Sequence, residues 1–119
     1  MATAEDNLWT RVIGDDWRWS FTTTDDVSGW ATPLVQIRTG TTSDATLVAT
    51  STTAEGVTAN VTVASNFGAG TLSWHVTVTV TETLSPGTYW LELSVMIDGD
   101  VTTVLTHVLS AVDQVAVEV

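Results

Sequence analysis

The sequence predicts an all-β domain, and three observations carry that prediction. Of 119 residues, 24 are threonine and 18 are valine, and side chains branched at Cβ are stiff at χ1 and favour a pleated strand. Apolar and polar residues alternate over short runs, while no window sustains a 3.6-residue period. Turn signals separate those runs at the spacing of a sandwich or barrel. The length fits one domain over 1–119 with a single core. A hydrophobic content of 44% excludes an intrinsically disordered chain.

Taken in order, residues 1–7 predict an N-terminal arm, flexible or in contact with a partner. Leu8 to Ile13 is a first strand, ended by Gly14-Asp15-Asp16. In Trp17 to Thr22, Trp17, Trp19 and Phe21 share one face and Arg18, Ser20 and Thr22 the other. Asp25 to Gly29 is a turn or a single helical turn, and Leu34 to Arg38 a strand with Val35 and Ile37 on its apolar face. A loop at 40–44 precedes a strand over Thr46 to Thr50. Val57, Ala59, Val61 and Val63 then point one way, and Asn66 to Gly70 turns the chain. The strongest run follows. Leu72, Trp74, Val76, Val78 and Val80 line one face, against Ser73, His75, Thr77, Thr79 and Thr81 on the other. Leu84-Ser85-Pro86-Gly87 is a Pro-Gly turn opening a strand over Tyr89 to Ile97. Asp98-Gly99 signals a hairpin into Val101 to Ala111. Val115 to Val119 would be a short edge strand. The total is about eight strands.

Charge and composition then exclude function classes. Fourteen acidic residues face three arginines and no lysine, a net charge of −11, so phosphate backbones and anionic membrane surfaces are repelled. Protein, glycan and cation remain as partners. No apolar run reaches the length of a spanning helix. Met1 to Arg11 is acidic and lacks the features of a signal peptide, so export by that route is not expected. The absence of cysteine removes disulfides, thiolate metal sites and a thiol nucleophile together. Threonine faces without lysine are also weakly defended against edge pairing, which points to a partner covering some edge or face.

The residues that could carry chemistry fall short of a site. His75 and His107, the two histidines, show no metal-ligand spacing. Glu5-Asp6, Asp15-Asp16, Asp25-Asp26 and Asp98/Asp100 invite a calcium reading, but aspartates populate turns because they bond their own backbone. No nucleophile elbow, Ser–His–Asp arrangement or phosphate-cradling glycine loop occurs, and a sandwich of this size has little material for a glycosidase cleft. The expectation is therefore no enzyme, no catalytic residue, no cofactor and no metal. Of the six tryptophans, Trp17, Trp19 and Trp74 sit on apolar faces and belong to the core. Trp9, Trp30 and Trp90 lie near strand ends or opposite the apolar face, and are the candidate contacts to a partner subunit or a glycan. Asn60-Val61-Thr62 matches a glycosylation sequon, a tripeptide common by chance.

One ordered set of features extends this reading. Gly14-Asp15-Asp16-Trp17-Arg18-Trp19-Ser20-Phe21 enters the first core strand. Asp26-Val27-Ser28-Gly29-Trp30 precedes Leu34-Val35-Gln36-Ile37-Arg38, and Leu84-Ser85-Pro86-Gly87-Thr88-Tyr89-Trp90 opens a late hairpin. From about Gly14 to Val117 the chain resembles the immunoglobulin-like domains of tailed-bacteriophage virion proteins, in particular the N-terminal domain of baseplate upper proteins. The resemblance implies a single immunoglobulin-like antiparallel β-sandwich and a non-enzymatic structural role, with no catalytic residues to carry over. It implies docking onto other virion proteins as a tail or baseplate accessory or a capsid decoration protein. Assembly would be in repeated symmetric copies, in the virion and in the host cytoplasm before it. No extension follows the domain, so a bridge to a receptor-binding protein is not expected. The alternative reading is a carbohydrate-binding or calcium-binding adhesin module that uses Trp9, Trp30 or Trp90.

Overall fold

The computed structural model describes residues 9–42 and 45–113. The N-terminal arm over 1–7, the Glu5-Asp6 pair and the strand expected at Val115 to Val119 lie outside those residues. The described chain forms β1 (Thr10–Val12), β2 (Trp17–Thr22), β3 (Trp30–Thr39), β4 (Leu47–Thr50), β5 (Val61–Asn66), β6 (Thr71–Val76), a single helical turn α1 (Val78–Thr81), β7 (Gly87–Ile97) and β8 (Asp100–Val112). Five strands form one sheet in the order β1-β8-β7-β3-β4, and three form another in the order β2-β6-β5. All neighbours are antiparallel except β1, which runs parallel to β8. The protein is an all-β sandwich.

Alternation builds the core. In the three-stranded sheet, Trp17 pairs with Val76, Trp19 with Trp74 and Phe21 with Leu72, which puts the large side chains on one face. They pack against Val35, Ile37, Leu91, Leu93 and Leu109 from the larger sheet, and Trp17 is 0% exposed. Its indole Nε1 donates to the Val12 carbonyl at 2.8 Å, tying β2 to β1 across the sandwich. Deleting so large a buried side chain leaves a cavity as well as losing transfer free energy.

Turn chemistry sets the register. Asp98 (φ 53°) and Gly99 (φ 84°) make the two-residue hairpin loop between β7 and β8, where Ile97 pairs with Asp100. Gly70 (φ 75°) follows a 3-10 turn at Phe67–Ala69, and its carbonyl accepts from Thr23 N at 2.9 Å. A Cβ at Gly70 would stand 2.2 Å from the Thr23 carbonyl oxygen, so only glycine fits. The Tyr89 hydroxyl donates to the Ser85 carbonyl at 2.6 Å, locking the Pro-Gly turn onto the start of β7.

Three boundaries depart from the alternation. The run from Leu72 to Val80 stops being a strand at Val76, because β2 begins at Trp17 and β5 at Val61, both opposite Val76. With no partner beyond that row, Val78–Thr81 coils into α1. Val78 N donates to Asp16 Oδ1 at 3.0 Å, and the Thr81 hydroxyl to the Asp15 carbonyl at 2.7 Å. Val57 and Ala59 likewise fall before β5: Val57 bridges back to Ala54, and Ala59 N donates to the Thr53 hydroxyl at 3.0 Å. Conversely β3 starts at Trp30, upstream of Pro33. Thr32 and Pro33 bulge out where β7 is the neighbour and β4 has not begun, so the missing proline N–H breaks no ladder.

Candidate interaction surfaces

The three tryptophans singled out by the sequence are all half-buried and lie in different places. Trp9, just before β1, is held by Ser110 N donating to its carbonyl at 2.8 Å. Its ring stacks on His107 with centroids 4.1 Å apart and an interplanar angle of 8°, and lies 6.0 Å from the Trp19 ring. The ring thus has one stacking neighbour from β8 and one from β2. Trp30 stacks on Phe21 (6.4 Å, 13°) and meets Phe67 edge-on. Trp90 stands on the outer face of the larger sheet, in a row with Arg38 and Val108, and its Nε1 is buried without a hydrogen-bond partner among the described residues. No ring contact joins any two of the three, so they form no common stacking platform.

An open cleft of about 890 Å³ runs from the outer face of the three-stranded sheet, at Arg18, Ser73 and His75, past β2 to Trp9, Leu105 and His107. Its aromatic side is a continuous stack, His107–Trp9–Trp19–Trp74. The Arg11 guanidinium sits 4.6 Å over the Trp19 ring and donates to the Arg18 carbonyl at 3.1 Å, and desolvation lowers its pKa. At the polar end, His75 Nε2 lies 3.4 Å and Arg18 Nη2 4.0 Å from Asp16. The imidazole, then the Val78 N–H, hold the Asp16 carboxyl below its usual range. A smaller cavity of about 210 Å³ on the outer face of the larger sheet is lined by Leu34, Met96 and Val101, the last 72% exposed.

Two polar clamps close the β4 side of the larger sheet, and neither was legible as a motif. Asn60 Oδ1 accepts from Thr50 N at 2.7 Å, its Nδ2 donates to the Val48 carbonyl at 3.3 Å, and its own N–H donates to the Thr50 carbonyl at 2.8 Å. One asparagine thus satisfies the outer edge of β4. The amide of the sequon is therefore consumed in the fold. Arg38, 8% exposed, makes a bidentate pair with Glu55 at 2.9 and 2.7 Å and also donates to the Ala45 carbonyl. Glu55 reaches it from a two-residue turn with Gly56, both residues at positive φ (52° and 81°). The Arg38 guanidinium holds the Glu55 carboxyl below its usual range.

The outer face of the three-stranded sheet is of another kind. Its cross-strand rows are Arg18–His75–Thr62, Ser20–Ser73–Ala64 and Thr22–Thr71–Asn66. None of these is a carboxylate, although the chain carries 14. Among the described residues, no group of three or more His, Cys, Asp or Glu side chains is gathered closely enough to hold a metal ion. No known family model matches the chain, and no curated protein matches it in sequence.

Proposed function

We propose that this chain is an immunoglobulin-like domain serving as a non-enzymatic structural protein of a tailed-bacteriophage virion. It docks by protein–protein contact as a tail or baseplate accessory or as a capsid decoration. The observation that carries the reading is the combination of strand order with the Tyr89–Ser85 bond. A first strand parallel to the last, a β2-β6-β5 sheet facing a β8-β7-β3-β4 sheet, and a tyrosine at the entry to the penultimate strand bonding backbone four residues upstream are the marks of immunoglobulin-like sandwiches. The tyrosine belongs to the Leu84-Ser85-Pro86-Gly87-Thr88-Tyr89 segment on which the resemblance to baseplate domains rests. The outer face supports docking, since its cross-strand rows hold no carboxylate and Asp16, which reaches the row end at Arg18 and His75, is already engaged by His75 and the Val78 N–H. Its partners are other virion proteins, and repeated copies follow the particle's symmetry.

Immunogold labelling of particles with an antibody to this chain tests the reading. Regular label on heads identifies a decoration protein, and label at one end of the tail a baseplate or tail component. Unlabelled particles, with the protein free or on cells, would contradict it.

A further inference from the structure

The four edge strands of the sandwich are not treated alike. An exposed edge carries unpaired N–H and C=O groups, and soluble proteins blunt such edges with short strands, charges, proline, bulges or a covering segment. β1 is three residues long. β4 is four residues long, bulged against β3, and capped by Asn60. The β2 edge carries Arg18, whose carbonyl is already taken by the Arg11 guanidinium. Among the described residues, β5 has none of these devices. Its six residues, Val61-Thr62-Val63-Ala64-Ser65-Asn66, contain no charge, no proline and no glycine. It pairs with β6 in unbroken register, so no bulge twists its outer edge away. Among the described residues, no hydrogen bond reaches Val61–Ser65 from anywhere but β6. Alternate residues of β5 therefore direct both backbone groups outward, and none of the described residues meets them.

We propose that a second copy of this chain pairs antiparallel with β5 along its own β5. The two three-stranded sheets then become one six-stranded sheet about a two-fold axis. Charge selects the occupant. At a net charge of −11, two copies repel wherever their carboxylates face each other, but from Gly56 to Thr81 the chain carries no Asp, Glu, Lys or Arg. That stretch contains β5, β6 and α1, and the charged groups that reach it, Asp16 and Arg18, lie on the β2 side of β6, so two identical copies meet along the β5 edge without like-charge contact between the paired strands. A two-fold is satisfied by one self-complementary strand: with Val63 on the axis, Thr62 of each copy faces Ala64 of the other, so only small side chains meet at the outer face. The paired surface is short, so the dimer is weak alone and is reinforced where copies are held together on a particle.

The proposal rests on reading the domain as a docking module, but the two fail separately. Labelled particles with a monomeric protein would remove the β5 pairing alone. Unlabelled particles with a dimer that depends on β5 would remove the virion placement alone. The test is sedimentation equilibrium of the full chain from about 10 μM to about 1 mM, a range that brackets weak association. The wild type is expected to rise from 12.7 kDa toward twice that mass. Ala64→Glu, at an exposed position on β5, is expected to weaken the dimer by at least about a hundredfold through like-charge juxtaposition. Thr22→Glu, exposed on the opposite edge strand of the same sheet, adds the same charge and leaves the dimer unchanged. Far-UV circular dichroism of both variants checks that they remain folded. A wild type monomeric throughout the range, or equal weakening by the two variants, overturns the proposal.

Discussion

The two sheets meet the same problem, exposed strand edges and half-solvated faces, in different ways. The larger sheet spends polar chemistry on closure. Asn60 caps β4, Glu55 folds back onto Arg38, and β1 lies down beside β8. The smaller sheet puts size on its inner face, with Trp17, Trp19 and Trp74, and builds the outer-face rows beyond Arg18 and His75 from small, uncharged side chains. Among the described residues it also leaves β5 unguarded. Edge protection is thus local: a fold that closes one edge with a single asparagine has the means to close another and does not use them there.

The comparison can be broken from either side. The largest effect is expected at the inner face of the smaller sheet. Trp17→Ala removes a side chain with no exposure and its bond to Val12, and should cost about 3–5 kcal/mol in urea denaturation, enough to unfold a marginal domain. Next is the cap on the larger sheet. Asn60→Ala strips Thr50 N and Val48 O of their partners and should cost about 1–3 kcal/mol by the same measurement. It should also make β4 a second open edge, read as association that Ala64→Glu no longer suppresses. Asn60→Asp keeps the acceptor for Thr50 but loses the donor to Val48, and should fall between.

Smaller effects sharpen the contrast. Tyr89→Phe deletes the hydroxyl that holds the Pro86-Gly87 turn and should cost about 1 kcal/mol, with the fold retained. The smallest is a pH effect at Glu55. Its folded-state pKa lies below its ordinary value near 4.5, so ionised Glu55 stabilises the fold at neutral pH. That contribution is lost as the pH falls through the depressed value. Glu55→Gln should therefore lower the melting temperature at pH 7, and its difference from wild type should shrink in acid as the pH falls through the depressed pKa. A difference that stayed the same after the carboxylate is fully protonated in acid would mean that it does not come from the charge of Glu55.

The all-β class, the Trp17/Trp19/Phe21 face, the Asp98-Gly99 hairpin and the Pro86-Gly87 turn were legible because each depends on neighbours in sequence. What escaped depends on neighbours in space. Val78 and Val80 continue the alternation faithfully, yet a strand ends where its partners end, and nothing near Val76 announces that β2 and β5 both stop there. Asn60 reads as a sequon and Glu55-Gly56 as an ordinary loop until β4 and Arg38 are placed beside them. Trp9 looked available because it sits at a strand end, but the stack with His107 joins residues far apart in the chain. The open β5 edge was visible only in outline, as threonine faces without lysine. Which edge lacked protection required the strand order.

The most direct test is amide hydrogen exchange along all four edge strands, comparing dilute with concentrated protein. The outward amides of Val61–Asn66 are expected to gain protection with concentration, while those of β2 and β4 stay constant. Uniform exchange in β5 at both concentrations, or protection appearing on β2 or β4 instead, would contradict the account.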